Sequence, residues 1–133
     1  MNNKKIIIAV VVILVIVIGF VIFNSFGNSD LNMPTNSKEF EAVLYLIPTN
    51  DGGRKTPIFN KYSPMFYSET NGQANDIKCE VLFYDGTDKI NPGESEKVKI
   101  VLESSVTMQR GSEFYLREGG KKIAKVTVTK IIE

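Results

Sequence analysis

An all-β fold, a six-stranded antiparallel closed β-barrel preceded by one transmembrane helix, is what this 133-residue sequence predicts. Three observations carry that expectation. Residues Ile6 to Phe23 form an uninterrupted apolar run. Beyond Lys38, apolar and polar side chains alternate with the two-residue period of half-buried strands. Turn signals rich in glycine, asparagine and aspartate separate the alternating stretches at short intervals.

The apolar run comes first in the chain. Its 18 residues, at about 1.5 Å of rise each, span roughly 27 Å, close to the ~30 Å hydrocarbon thickness of a bilayer. Valine and isoleucine dominate it, and β-branching hardly opposes a helix where every other backbone arrangement leaves amides unsatisfied. Lys4 and Lys5 flank one side, whereas the first charge on the other is Asp30. The positive-inside bias therefore predicts a cytoplasmic tail (1–5), a transmembrane helix (6–23) and a cell-membrane protein whose remaining chain is extracytoplasmic. The rival reading is a cleaved signal peptide, which calls for a shorter apolar region ending in a small-x-small site. Here the run ends in Phe23-Asn24-Ser25-Phe26. Its lack of a Gly-x-x-x-Gly pattern gives no support to helix pairing, and oligomeric state stays open.

Residues 24–37 read as a flexible linker, rich in Asn, Ser and Gly and without periodicity. A tether of that length spans roughly 20 Å on average. The 96 residues from Lys38 to Glu133 suffice for one small domain with one core. Setting aside Lys4 and Lys5, 14 basic residues face 15 acidic ones, which argues against a dedicated nucleic-acid binder with a basic stripe. Arg117, Lys121, Lys122, Lys125 and Lys130 nevertheless cluster near the C-terminus, as a solvated strand face or as a partner-binding patch. The single cysteine excludes an internal disulfide. Cys79 falls on an expected strand, where a buried small hydrophobe or an intermolecular link are the two roles open to it.

The strands follow in order. Phe40, Ala42, Leu44 and Leu46 share one face of the first, with Glu41, Val43, Tyr45 and Ile47 on the other. Val98, Ile100 and Leu102 alternate with Lys97, Lys99 and Glu103; Phe114 and Leu116 with Glu113, Tyr115 and Arg117; Ala124, Val126 and Val128 with Lys125, Thr127 and Thr129. Asn91-Pro92-Gly93-Glu94 fits a type II turn, proline pre-setting φ and glycine supplying φ > 0. Gly119-Gly120 suits a two-residue hairpin loop. About six antiparallel strands in so short a chain must close to hide their edges, hence a barrel.

Two ordered blocks go beyond pattern. The first is Phe40-Glu41-Ala42-Val43-Leu44-Tyr45-Leu46, then Gly52-Gly53-Arg54-Lys55-Thr56-Pro57-Ile58-Phe59, then Tyr62, Pro64 and Phe66-Tyr67. The second is Phe114-Tyr115-Leu116-Arg117-Glu118-Gly119-Gly120-Lys121, running on to Thr129-Lys130-Ile131. Together they resemble the C-terminal β-barrel domain of elongation factor Tu over essentially all of residues 38–133. The resemblance implies the same six-stranded antiparallel barrel. It also exposes what differs. The phosphate-cradling Gly-x-x-x-x-Gly-Lys-Ser/Thr of the family's GTPase domain does not occur here, so GTP hydrolysis is not expected of this chain. In the family this barrel helps grip aminoacyl-tRNA through a stretch resembling Tyr-Arg-Pro-Gln-Phe-Tyr, which here reads Tyr62-Ser63-Pro64-Met65-Phe66-Tyr67. Neither serine nor methionine replaces arginine's planar donor fork on a phosphate. Glu69-Thr70-Asn71-Gly72-Gln73-Ala74 replaces the family's Thr-Thr-Asp-x-Thr-Gly, and Ser104 falls near a lysine the family often carries. Arg54 and Glu118 remain, in turn motifs that structure alone would keep. Binding of tRNA is therefore not expected.

Catalysis is not expected either. The chain has no histidine, and no Cys/His/Asp/Glu set has metal-ligand spacing, so neither catalytic residues, nor a metal, nor a cofactor, nor a small-molecule substrate is assigned. The leading functional expectation is a membrane-anchored protein-binding module, a receptor or decoy. Its surface would comprise Val43, Tyr45 and Ile47, the Arg54-Lys55-Thr56 turn with Tyr62, and the turn of Arg117, Glu118, Lys121 and Lys122. The alternative is a translation-related protein that binds tRNA, the ribosome or a GTPase domain at the membrane from the cytoplasmic side. A relic or spacer without a specific ligand is the third.

Overall fold

The computed structural model describes residues 3–26, 32–70 and 73–133. It divides into two units, Met1–Asn32 and Met33–Glu133. The first contains one helix, α1 (Asn3–Phe26), whose side chains are described from Asn3 to Val15 and are exposed. No helix among the described residues is long and apolar enough to cross a membrane. That corrects the transmembrane helix expected at 6–23, and with it the membrane as partner and the cell-membrane location with an extracytoplasmic barrel. The expectation came from counting apolar residues along the whole run.

The second unit is built from β1 (Thr35–Leu46), β2 (Ile58–Phe59), β3 (Met65–Thr70), β4 (Gln73–Phe83), β5 (Lys89–Ile90), β6 (Ser95–Met108), β7 (Glu113–Glu118) and β8 (Lys121–Ile132). Six of these close into an antiparallel barrel in the order β1-β6-β4-β3-β7-β8, and β8 returns to β1. Closure pairs every strand on both sides, as the edge argument required. Alternation explains the core directly. Phe40, Ala42, Leu44 and Leu46 from β1, Val98 and Ile100 from β6, Leu116 from β7, and Ala124 and Val126 from β8 are fully buried. β2 and β5 form a separate two-stranded sheet, whose paired Ile58 and Ile90 join the same core cluster.

Sequence residues 24–37 are not a uniform tether. β1 begins at Thr35, pairing with Met108, and Ser37 is a buried polar residue. The Ser37 hydroxyl lies 2.9 Å from the carbonyls of both Glu39 and Ile132 and accepts from the Glu39 N–H at 3.2 Å. A polar strand start with its hydroxyl satisfied across a register shift looks like linker in composition alone. Residues 27–31 lie outside the described residues.

The turns behave as their glycines dictate. The Glu94 N–H donates to the Asn91 carbonyl at 3.0 Å, and Gly93 holds φ 89°. Gly119 and Gly120 both take positive φ, with Glu118 paired to Lys121 across the loop. Two backbone bulges re-aim β8. One lies opposite Leu116/Arg117, so that Ile123 and Ala124 both bury while Lys122 and Lys125 remain outside. The other lies opposite Glu41/Ala42 and leaves Thr129 without a directly opposed residue on β1. The Thr129 Oγ1 is buried and has no hydrogen-bond partner among the described residues. A Thr129→Val substitution keeps the shape and removes that unsatisfied group. We expect it to stabilise the barrel by about 1 kcal/mol, read as a raised denaturant midpoint with unchanged m; a lowered midpoint would contradict it.

Cys79 is buried in the core cluster, its Sγ 3.4 Å from the Pro64 carbonyl. Burial pushes its thiol up to about 12, so it behaves as a small hydrophobe rather than a reactive thiolate.

Candidate interaction site

The residues expected to form one surface fall into two patches. The first gathers around Glu118. Arg54 follows Gly53, whose tight approach to Ile47 lets the Arg54 N–H donate to the Ile47 carbonyl at 2.9 Å. This aims the guanidinium at the β7–β8 hairpin. Its Nη1 donates to Glu118 Oε1, as does the Tyr62 hydroxyl. Arg54 Nη1 lies 3.3 Å from the Tyr62 hydroxyl, while Nε and Nη2 reach the Thr56 carbonyl and Oγ1 at 3.2 and 3.0 Å. The guanidinium also stands over the Tyr62 ring, 5.2 Å from its centroid. Lys55 and Lys121 rim the shallow depression of about 330 Å³ that Arg54, Thr56 and Glu118 line. The carboxylate of Glu118 is thus committed inside the molecule, which makes the cluster a clasp between the 54–62 loop and the hairpin.

Burial, then the Glu118 carboxylate, push the Tyr62 phenol well above its ordinary value. The neutral phenol is therefore favoured on folding. Its contribution is fully present below the unfolded tyrosine value of about 10 and is lost as pH rises through the higher folded one. Glu118→Gln removes the second cause but not the first. The Tyr62 titration should then move down toward, without reaching, the ordinary value, and alkaline unfolding should begin at lower pH. Ultraviolet titration of phenolate absorbance checks this; an unmoved titration would show that burial alone sets the value.

The second patch is the outward face of neighbouring strands. Val43 and Tyr45 point out from β1, Val43 being 40% exposed. Tyr45 lies opposite Lys125 on β8, Lys125 opposite Tyr115 on β7, and Tyr115 opposite Tyr67 on β3. Arg117 and Lys122, opposite each other, lie over these rings. The Arg117 Cζ is 4.7 Å from the Tyr67 centroid, and the Lys122 Nζ is 4.2 Å from that of Tyr115. Arg117 also donates from Nε and Nη2 to the Gly120 carbonyl at 3.2 and 2.9 Å. Lys125 pairs with Glu113 at 3.0 Å, a contact that holds the lysine above its ordinary value. Elsewhere on the barrel Glu41 is held low by the Tyr84 hydroxyl, then by Lys97. Ile47 joins neither patch; it is half-buried beyond β1, its N–H donating to the Ile123 carbonyl.

The family model of the elongation factor Tu C-terminal domain matches residues 33–132. The chain belongs to that family. The match begins before Lys38, in agreement with the early start of β1 at Thr35. Of the positions where the elongation factor Tu resemblance implied altered RNA contacts, Ser63 makes a contact within the barrel. The Ser63 hydroxyl donates to the Cys79 carbonyl at 2.8 Å. Met65 stands opposite Arg117 on one side and Lys78 on the other, and Ser104 lies on β6. Sequence reasoning placed Lys125 in the C-terminal basic cluster but missed Tyr67 and Tyr115 as members of the outer face. Their outward parity in the alternation was available; the register that makes them neighbours was not.

Proposed function

We propose that this elongation factor Tu C-terminal-type barrel is a non-catalytic protein-binding module. The observation that supports this most is the outer face shared by β1, β8, β7 and β3, where Val43, Tyr45, Tyr115 and Tyr67 lie together. Tyrosines with half-covered rings supply rigid contact area at small entropic cost, and aromatic residues are enriched at protein interfaces. The absence of histidine from the sequence supports the non-catalytic part of the reading. Against tRNA stand the contacts that Glu118 Oε1 and the Ser63 hydroxyl already make within the barrel, which a nucleic-acid backbone would have to displace.

A photo-crosslinking amino acid placed at Val43, compared with one at the exposed Asp88, tests the reading. A defined protein adduct from Val43 alone, reproduced with the purified partner, is the expected result. Identical adducts from both positions, or an RNA adduct from Val43, would overturn it.

A further inference from the structure

We propose that the outer face of β8, β7 and β3 takes an acidic segment of a partner protein, docking carboxylates against Lys122 and Lys125 beside the Tyr45, Tyr115 and Tyr67 rings. The proposal rests on the protein-binding reading above and names the chemistry of the partner. Four cations point outward on this patch: Arg117, Lys122, Lys125 and, from β4, Lys78 opposite Met65. Among the described residues two carboxylates answer them, Asp76 to Arg117 at 3.4 Å and Glu113 to Lys125 at 3.0 Å. Among the described residues no carboxylate pairs with Lys122, whose ammonium contacts tyrosine rings alone, 4.2 Å from Tyr115 and 5.9 Å from Tyr67. The patch is thus locally positive on a domain whose total charge is near zero.

A cation drawn to aromatic faces has part of its position set before any partner arrives. Less side-chain entropy is then lost on binding. Apolar residues of the same segment have Val43 and the ring edges to pack on.

The same geometry disfavours RNA. The Nε–Nη2 edge of Arg117 is spent on the Gly120 carbonyl and its Nη1 lies 3.4 Å from Asp76, so a phosphate would compete with both contacts for two parallel bonds. Arg117 and Lys122 cover the Tyr67 and Tyr115 faces on which bases would stack. A carboxylate needs neither, only the free side of an ammonium.

Fluorescence anisotropy on the whole 133-residue chain tests this with three probes: a short labelled peptide of glutamates interspersed with leucine and serine, its glutamine counterpart, and an RNA oligonucleotide of equal length. The acidic peptide should bind about tenfold tighter than the glutamine one, with affinity falling as salt rises. The double variant Lys122→Gln/Lys125→Gln should lose about tenfold toward the acidic peptide at unchanged melting temperature, whereas Lys55→Gln should not. Equal binding of the two peptides, tighter binding of RNA, or an unaffected double variant would each overturn the proposal. If Val43 still crosslinks a defined protein while the acidic peptide fails, the protein-binding reading stands and the acidic partner falls. Loss of the crosslink overturns the broader reading.

Discussion

Gly53→Ala should destabilise the barrel by more than about 3 kcal/mol, well beyond an ordinary glycine-to-alanine exchange. A methyl group there would meet the Ile47 carbonyl oxygen at 1.7 Å, its carbon at 2.3 Å and the Ile47 Cβ at 2.8 Å. The obstacle is backbone, so no rotamer change relieves it. Gly53 and Arg54 also donate their N–H groups to Pro48 and Ile47, each at 2.9 Å. Moving the loop to admit the methyl would break both bonds and withdraw the guanidinium from Glu118. The adjacent Gly52→Ala is the control. It has φ +86° and open space around the added carbon, so it should cost only about 1–2 kcal/mol of left-handed strain. For a domain of roughly 100 residues the first should lower the melting temperature by more than ~12 °C and the second by less. Equal shifts would remove the close approach as the reason for glycine at position 53.

The second large effect is expected at Phe66. Its side chain is fully buried, edge-on to Phe40 at 5.9 Å and tilted against Phe114 at 4.7 Å. These rings come from β1, β3 and β7, so Phe66 joins strands distant in sequence across the barrel interior. Phe66→Ala removes both ring contacts and leaves a cavity that β-ladders on either side cannot collapse into, at a cost of about 3–5 kcal/mol. Against a typical domain stability of ~5–15 kcal/mol this is a large share of the whole. Phe59→Ala, at a ring 59% exposed, should cost less than about 1 kcal/mol. Denaturant titration separates the two; comparable losses would show that the Phe40-Phe66-Phe114 group does not organise the core.

The barrel was readable because side-chain parity along a strand needs no partner. Phe40 through Leu46 and Ala124 through Val128 declare their buried face by alternation alone. Composition was a poorer guide where polar residues serve structure, as at Ser37, whose hydroxyl is satisfied within β1 and by β8. β2 and β5 have two residues each, too few for any period to show. The outer face was hidden for another reason. Tyr45, Tyr67, Tyr115 and Lys125 are neighbours only through register, and register depends on bulges with no sequence signal here. Arg117 to Lys122 therefore looked like one turn, whereas the fold commits Glu118 to Arg54 and Tyr62 and puts Arg117 and Lys122 over Tyr67 and Tyr115. Hydropathy counting misled at α1, since no described helix meets the length and apolarity of a membrane span.

The first and last barrel strands run antiparallel side by side, with Glu39 opposite Ile132. Tension applied between the two ends of this unit therefore peels β1 from β8 one rung at a time, rather than loading all rungs together. Tension applied between the start of β1 and the hairpin after β7 loads many rungs at once. The barrel is a weak joint in the first direction and a strong one in the second.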